Sequence, residues 1–510
     1  MAVKLKLPPG FYSNGTEYSG AGRWIDGDLV RWHNNVIKPI NGWQMKFDFG
    51  TSAPIAPVHD TTEAVRSGVV VTNSVNGVNL YLGSNAAIYR VSASNVVTDV
   101  TPVGFVAQSK HAVSSRGYGS FRYSFGQYGT PRPDLNPTIS IVFSWGFSEW
   151  GYWPIAVARG LTSMPLQIKK DTDATFIDIA GSPTGAFDVL VTDERFVMTF
   201  GKTDDYRLIQ WSDREDYTEW TPDPTNQAGS QVIAGTGKLL RGVKVINQIL
   251  ILGENDAFSG RYVGPPYVYG FDRIGEHCGA IGPQAVAVTA GFAMWLSDLS
   301  FWKFDGTISE VPCEVMDYYQ SDHNKLQRSK THAFTVSDYS EIWWLYQSNS
   351  AETMEPDSYI IYNWSIEKWY YGRLDRTFGL DSDPLIYPFM ISSSGTMYDH
   401  EVVSAGRDDR VPFITSGPLE VNNGTKLMGL AWVLPDDKTR GDIAMTLAVR
   451  DNAQDVLPRY SMDYILTNPT STTGIAGRDI RMTLKGTLTN PNWMVGDFRV
   501  EPVKSSLPGR

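Results

Sequence analysis

The chain has 510 residues, too many for one ordinary globular core unless the fold is a large ring or barrel. Its formal net charge of −11 argues against a protein that grips nucleic acid through a broad basic face, but not against a protein that DNA slides past. Aromatic residues make up 12% of the chain, and its 47 glycines and 29 prolines favour short turns, so the composition predicts an all-β protein.

The cysteines and the apolar runs of the sequence indicate in which cellular compartment the protein is expected. The chain has two cysteines, Cys278 and Cys313, too few for a secreted disulfide scaffold of this length, so we expect a reducing compartment. The first residues contain no apolar core of signal-peptide length. The longest apolar run, 285–296, is too short to span a membrane, so we expect no membrane insertion. We interpret this run as two buried strands around a tight turn.

The first segment, about residues 1–50, is predicted to be a strand-rich N-terminal arm. Three tryptophans, Trp24, Trp32 and Trp43, recur there with turn dipeptides between them. These dipeptides are Asp26-Gly27, Asn34-Asn35 and Asn41-Gly42. The pattern predicts short strands joined by hairpins.

The middle of the chain, residues 51–404, contains strand-sized runs separated by turn signals. The clearest runs are 189–200, 243–264, 292–311, 341–348, 358–372 and 395–401. The run 243–264 predicts three strands, broken at Asn247-Gln248 and at Gly253–Asp256. No stretch shows sustained helical periodicity; segments such as 313–330 could form a helix, but the hydrophobic pattern there is weak. A Trp or Tyr near an Asp-Gly or Ser-Asp turn is typical of loosely repeated four-stranded blades, so we predict a β-propeller, a ring of short antiparallel strands. A pair of Greek-key sandwiches is the alternative.

After residue 404 the pattern changes to fewer tryptophans and longer alternating strands. The runs 443–451, 478–488 and 493–503 are examples. They predict a small, separate C-terminal β-sandwich or barrel over residues 405–503. We expect the tail, 504–510, to be flexible.

The stretch RLIQWSDREDYTEWTP, residues 207–222, is the strongest candidate for a catalytic or metal site. Asp213, Glu215 and Asp216 lie close enough in sequence to bind a hard cation. However, Arg214 lies within the cluster, and no glycine permits the sharp turn of a calcium loop. We therefore favour a polar hairpin tip whose strands are anchored by two buried tryptophans, Trp211 and Trp220.

A zinc site is a second candidate, built from Cys278 and Cys313 with His277 or His323. Structural zinc sites normally take their ligands from closely spaced pairs, and these cysteines stand alone. Buried free thiols are the favoured interpretation.

A Gly- and Tyr-rich run, 116–133, is a third candidate, because its tyrosines could stack on bases beside Arg116, Arg122 and Arg132. Since the sequence has no matching basic face, we interpret it as an ordered surface loop or a subunit contact.

No nucleophile elbow G-x-S-x-G, zinc motif H-E-x-x-H or phosphate loop appears in the sequence. We therefore predict that the protein is not an enzyme and that it has no catalytic, cofactor-binding or metal-ligating residues and no cofactor.

Several segments, in order along most of the chain, resemble the packaged-DNA stabilisation, or tail nozzle, proteins of short-tailed bacteriophages. The segment DDYRLIQWSDREDYTEWTPDPTNQAGS is one of them. The resembling segments are 22–32, 40–43, 128–133, 204–230, 261–286, 301–315, 360–377 and 477–502. Residues 53–110 resemble no family that we can name.

The resemblance implies a structural role in the virion tail. Such proteins are propeller-containing subunits, usually assembled as a homohexameric ring below the portal and its adaptor. They extend the DNA channel, help to retain packaged DNA, conduct double-stranded DNA without sequence-specific binding, and carry the tail needle or fibres. The resemblance thus implies a virion protein that is assembled in the host cytoplasm. The family offers no catalytic motif to carry over.

A different function stays open as the alternative. Trp-rich strands with carboxylates at their tips would also suit a tail component that binds or cleaves host surface glycans through a propeller face. Cleavage would require two carboxylates facing one pocket at a separation used in glycoside hydrolysis.

Overall fold

The computed structural model describes residues 3–47, 54–75, 77–112, 142–408, 410–420, 428–451, 455, 457–466, 471–487 and 492–504. The protein is almost all β, at 47% strand and 5% helix, which confirms the predicted fold class. Both the run 116–133 and the end of the C-terminal tail lie outside the described residues.

The N-terminal segment contributes strands to several different sheets. These strands are β1 (Val3–Leu5), β2 (Trp24–Asp28), β3 (Val30–His33), β4 (Val36–Pro39) and β5 (Gly42–Met45). A 3-10 helix, Glu17–Gly20, lies between the first two.

One of the three hairpins predicted in this segment is present. β3 pairs with β4, and Asn34 and Asn35 form the turn with φ angles of 52° and 61°. The prediction of a turn at Asp26-Gly27 was wrong, because both residues lie inside β2. A Cβ atom on Gly27 would lie 2.6 Å from the ring of Phe11, so glycine serves close packing there rather than a turn. The predicted turn at Asn41-Gly42 was also wrong, since Gly42 starts β5.

The described residues between Val65 and Val402 form antiparallel four-stranded sheets that we number as blades. Blade 1 contains β6 (Val65–Thr72), β7 (Val78–Ser84), β8 (Ile88–Val91) and β9 (Val97–Asp99). Blade 2 contains β10 (Trp145–Trp150), β11 (Trp153–Ala158), β12 (Gln167–Ile168) and β13 (Ile177–Asp178). Blade 3 contains β14 (Ala186–Val191), β15 (Val197–Lys202), β16 (Leu208–Trp211) and β17 (Gly229–Val232). Blade 4 contains β18 (Leu239–Val245), β19 (Gln248–Gly253), β20 (Asp256–Gly264) and β21 (Val268–Glu276).

The remaining blades follow in the same style. Blade 5 contains β22 (Val286–Val288), β23 (Ala293–Leu296), β24 (Phe301–Phe304) and β25 (Ile308–Val311). Blade 6 contains β26 (His332–Val336), β27 (Glu341–Tyr346), β28 (Ser358–Asn363) and β29 (Lys368–Arg373). Blade 7 contains β30 (Phe378–Leu380), β31 (Phe389–Ile391), β32 (Met397–Val402) and, as its outermost strand, β5 from the N-terminal segment.

The blades close into a ring. The first strand of each blade contacts the first strand of the next, and β30 of blade 7 contacts β6 of blade 1. Over the described residues this is a seven-bladed β-propeller, in place of the alternative pair of Greek-key sandwiches. Its two faces differ: the connection face carries the links between blades and the loops between second and third strands, and the hairpin face carries the other loops.

The helical segments are short. Helix α1 (Met316–Asp322) and a 3-10 helix (Lys325–Lys330) lie between blades 5 and 6, inside the run 313–330 whose pattern suggested a helix. A third 3-10 helix, Ser337–Tyr339, joins β26 to β27. Of the helices in the described residues, none is long and apolar enough to cross a bilayer.

A β-sandwich completes the described chain. Its strands are β33 (Phe413–Ser416), β34 (Met428–Pro435), β35 (Ala444–Arg450), β36 (Tyr460–Ile465), β37 (Ser471–Gly477), β38 (Asp479–Lys485) and β39 (Phe498–Lys504). One sheet has the order β1-β39-β34-β37 and the other β2-β33-β38-β35-β36. Leu447 of one sheet and Ile475 of the other are buried in the same hydrophobic core. The predicted domain boundaries at residues 50 and 404 stay a prediction. Strands of the N-terminal arm pair both with the propeller and with the sandwich.

Glycines allow neighbouring blades to approach closely. Gly242 lies in the first strand of blade 4, and a Cβ atom there would lie 2.2 Å from the ring of Phe200 in blade 3. A Cβ atom on Gly379 of blade 7 would lie 2.6 Å from the ring of Phe334 in blade 6. Because any side chain would collide with an aromatic ring, the packing between these blades requires glycine.

A buried ion network fastens the β3–β4 hairpin to the propeller. Arg31, which is 0% exposed, donates to Glu401 of blade 7 at 2.6 and 2.7 Å and to Glu341 of blade 6 at 2.9 Å. Its guanidinium lies 3.8 Å from the ring centre of Tyr339. Burial alone would lower the pKa of Arg31, but the two carboxylates outweigh burial and raise it. The guanidinium is therefore held charged at a joint between the N-terminal segment and two blades.

Candidate functional site

The acidic part of the stretch 207–222 follows β16 and lies on the hairpin face of blade 3, in the loop that joins β16 to β17. Asp213 accepts a hydrogen bond from the backbone N–H of Gln227 at 2.8 Å, and Asp216 accepts from the N–H and hydroxyl of Thr218 at 2.8 and 2.6 Å. These bonds to Thr218 lower the pKa of Asp216. Glu215 is exposed and lies 3.6 Å from Arg195. The carboxylates thus bind groups of the loop itself and, in the case of Glu215, a neighbouring arginine.

The two tryptophans of this stretch are buried, as expected for anchors. Trp211 ends β16 and donates through Nε1 to the carbonyl of Gln227 at 2.9 Å. Trp220 lies in the loop rather than in a strand, and donates to the carbonyl of Tyr217 at 2.9 Å. The expectation that both tryptophans root strands was therefore wrong for Trp220, which packs beneath a long loop.

The residues of the zinc alternative are spread over separate parts of the core. Cys278 packs between blades 4 and 5, whereas Cys313 packs against the core around blade 6. Burial raises the pKa of the Cys278 thiol to about 11 and also raises that of Cys313, which disfavours the reactive thiolate. His323 is buried and stacks on Tyr319 with ring centres 4.7 Å apart. Within the described ranges, no group of three or more His, Cys, Asp or Glu side chains is placed to hold a metal ion.

The connection face of the propeller has a cavity of about 430 Å³ near the ring axis. Its walls come from the loops of blades 2 to 6, so residues far apart in sequence converge there. Aromatic and charged side chains are combined in its lining. Among them are Phe187, Tyr206, Lys238, Glu254, Asp298 and Arg328. Cavities of this size and mixed lining are the usual binding sites of small molecules.

The wall on blades 3 and 4 is aromatic and cationic. The ring centres of Phe187 and Tyr206 lie 5.8 Å apart, and Nζ of Lys238 lies 5.4 and 4.9 Å from them. The backbone N–H of Lys238 donates to the exposed carboxylate of Glu254 at 3.1 Å. This wall therefore offers apolar ring surface beside one cation and one anion.

The opposite wall is formed by the loop after β23 and the 3-10 helix Lys325–Lys330. Arg328 donates to Asp298 at 2.7 Å, and both side chains are exposed. The helix is fixed by Lys330, which donates to buried Glu355 at 3.1 Å and to Nδ1 of His111 at 2.7 Å. Burial lowers the pKa of Lys330 to about 8.

Glu355 also accepts from Arg66 of blade 1 at 2.9 and 3.0 Å, so a loop of blade 6 is fastened to blade 1 across the connection face. This bond and those of Lys330 hold the cavity wall in place.

The propeller axis is closed beneath the cavity. Gln284, which precedes blade 5, donates to the carbonyl of Trp145 in blade 2 at 3.4 Å, and these blades lie on opposite sides of the ring. Arg241 of blade 4 donates to Gln284 at 2.6 Å. Since the major groove of duplex DNA alone is about 12 Å wide, a duplex cannot thread this axis. A DNA passage would have to lie between copies of the chain.

No residue of the cavity was singled out from the sequence. Phe187, Lys238, Asp298 and Arg328 each stand alone in the sequence, without a motif around them. The one available signal was topological, because the links between successive blades of a propeller meet at one face of the ring.

No protein-family model matches the chain, and no curated protein matches it. Among solved structures, it is similar to PorZ, a surface component of the type-IX secretion system of Porphyromonas gingivalis, at 10% identity and a TM-score of 0.38, over 76% of this chain and 44% of that one. It is similar to a fungal alcohol oxidase in complex with copper at 9% identity and a TM-score of 0.42, over 91% and 97% of the two chains.

BamB from Moraxella catarrhalis is similar at 8% identity and a TM-score of 0.37, over 75% of this chain and 98% of that one. Similarities at these scores carry no argument about function. The resemblance to tail nozzle proteins stays a prediction.

Proposed function

We propose that this protein is a structural subunit of a short-tailed bacteriophage tail. Several copies form a ring, the tail nozzle, that extends the DNA channel below the portal and adaptor, retains packaged DNA and conducts it on ejection. The ordered set of resembling segments supports this role. So does the net charge of −11, because a wall that DNA must leave quickly should make few attractive phosphate contacts.

The structural observation that carries the proposal is the hairpin of β20 and β21. Its strands have nine residues each, and its tip exposes Tyr267 by 79% and Val263 by 59%. Exposed aromatic and aliphatic side chains on a projecting element are typical of protein interfaces. The tip belongs to RYVGPPYVYGFDRIGEHCGAIGPQAV, one of the resembling segments.

Just below its tip, the hairpin is held by an aromatic cluster. Tyr262 and Tyr269 pack against Phe196 of blade 3, with ring centres 5.9 and 5.5 Å away. Tyr269 also donates to the hydroxyl of Thr192 at 2.9 Å. A tip supported in this way is presented without a large cost in conformational entropy, which favours its use as a subunit contact.

The test is the assembly state of the purified protein, measured by sedimentation and by negative-stain electron microscopy. We expect closed rings with a central pore, and we expect the double variant Val263→Asp/Tyr267→Asp to remain monomeric. Ile386→Asp is the control, because Ile386 is 90% exposed but lies in blade 7, far around the ring.

Wild-type protein that stays monomeric and never joins a tail particle would contradict the proposal. If the double tip variant forms rings as well as the wild type, the hairpin does not lie in the interface.

A further inference from the structure

The cavity on the connection face has no part in ring formation through the hairpin, which projects from the opposite face. Its side chains are nevertheless arranged in a specific way. Lys238 lies over the rings of Phe187 and Tyr206, and among the described residues no carboxylate lies within ion-pair distance of its Nζ. A cation without a carboxylate partner, next to partly exposed rings, retains donors for a bound molecule.

Charges of both signs line the cavity. Glu254 exposes its carboxylate on the wall that carries Lys238, and Asp298 is paired with Arg328 on the other wall. A strongly anionic ligand would be repelled by the two carboxylates, and a cationic one by Lys238 and Arg328. The lining therefore favours a neutral ligand that both donates and accepts hydrogen bonds.

A hydroxyl group has this property, since it donates one hydrogen bond and accepts two. Several hydroxyls on one small molecule could donate to Asp298 and Glu254 and accept from Lys238 and Arg328. The apolar C–H face of a sugar ring would then pack on the exposed part of Tyr206. The cavity volume of about 430 Å³ lies in the range of small-molecule sites.

We propose that this cavity binds a neutral mono- or disaccharide. Tyr206 supplies the packing surface, Asp298 and Glu254 accept from sugar hydroxyls, and Lys238 and Arg328 donate to them. The site is distinct from the proposed ring contact and requires no bond cleavage. It gives the protein a second property, recognition of a glycan, that is independent of its assembly state.

The experiment is calorimetric titration and saturation-transfer NMR of the full chain with galactose, glucose, N-acetylglucosamine and lactose. We expect at least one of them to bind with a dissociation constant on the order of 1 mM, from typical binding per ligand atom. Glucuronate and inorganic phosphate serve as anionic comparisons and should bind more weakly.

Matched substitutions locate the binding. Tyr206→Ala and Asp298→Asn should each weaken it at least tenfold. Tyr152→Ala and Asp305→Asn are the controls, because Tyr152 is also an exposed tyrosine and Asp305 also belongs to an exposed ion pair, with Lys303 at 2.9 Å. Thermal unfolding of each variant checks that it is folded, and Lys238→Met provides a further cavity variant.

Absence of binding by all four sugars would overturn the proposal. Tighter binding of glucuronate or phosphate than of the sugars would do the same, as would equal affinity in the cavity variants and the controls. The hairpin-tip double variant should bind sugar with unchanged affinity, so failure of the ring and failure of this site are separable results.

Discussion

Blades 1 to 6 and the sandwich are both antiparallel, but they are assembled from the chain in opposite ways. Each of these blades takes its four strands from one continuous stretch. The sandwich pairs Val3 with Val500 and Trp24 with Ser416, so both of its sheets depend on the N-terminal segment. Blade 7 shares this dependence through β5. The difference shows that blades 1 to 6 are each specified by neighbouring residues in the sequence. Blade 7 and the sandwich instead both require strands from the N-terminal segment, which is distant from them in sequence.

The largest expected effect comes from breaking the buried network that joins the N-terminal segment, on which both regions depend, to blades 6 and 7. Replacing Arg31 with Met leaves Glu341 and Glu401 buried without their counter-charge, which should cost about 3–5 kcal/mol of unfolding free energy. Urea unfolding measures the loss, and hydrogen exchange should increase in both blade 7 and the sandwich.

Lys244→Met is the control for this change, because Lys244 forms an exposed ion pair with Asp193 at 3.0 Å. Its replacement should lower the unfolding free energy by less than about 1 kcal/mol. A comparable loss of unfolding free energy in both variants would show that the buried network does not fasten the N-terminal segment to the propeller.

A smaller loss of stability is expected when the propeller and the sandwich are each overpacked by a separate substitution. Gly242→Ala places a Cβ atom 2.2 Å from Phe200 in the propeller, and Gly477→Ala places one 2.2 Å from Val449 in the sandwich. Each should destabilise by about 1–3 kcal/mol. Hydrogen exchange measured by mass spectrometry should rise mainly in the region that carries the substitution.

Gly291→Ala is the reference for both, because no atom lies within 4 Å of the position that its Cβ atom would take, and little change is expected. If both overpacked variants raise exchange equally everywhere, the propeller and sandwich unfold as one unit.

A further effect should appear on acidification and should arise mainly in the propeller. Burial lowers the pKa of His323 and of His332 to about 4, below the ordinary value of 6.5. As pH falls from 6.5 towards 4, the unfolded chain binds protons that the folded chain does not, so the stability present above pH 6.5 is progressively lost. The predicted C-terminal region, 405–503, contains no histidine.

Urea midpoints at about pH 7 and pH 5 measure this loss across the range in which histidine titrates. His332→Gln keeps a donor for the carbonyl of Gly379, which Nε2 of His332 contacts at 2.7 Å, and should reduce the loss. An equal loss in wild type and variant would assign the pH dependence to other groups.

Much of the propeller could be predicted because its information is local. The run 243–264 was predicted as three strands broken near Asn247 and Gly253, and it forms β18, β19 and β20. The apolar run 285–296 forms β22 and β23 as predicted. In each case a turn signal separates strands that pair with their neighbours in sequence, so the periodicity of side chains is sufficient.

What could not be predicted depends on distant pairing. Trp43 marked a strand, but nothing in the residues around it indicates that this strand pairs with His400 in blade 7. The cavity was missed for the same reason, because Lys238 and Arg328 meet only after the ring has closed. Hydrophobic periodicity identifies strands and their buried faces, but it does not identify the partner of an edge strand.

The position of β5 also sets the order of events during synthesis. This strand leaves the ribosome early, yet its partner β32 begins at Met397, about 350 residues later. At translation rates of about 5–20 residues per second, the strand waits roughly 20–70 s for that partner. The contiguous blades can form in the meantime, while the last sheet stays incomplete. A nascent chain released before β32 is made therefore has an incomplete seventh blade with unpaired strand edges. Such truncated products should be prone to aggregate.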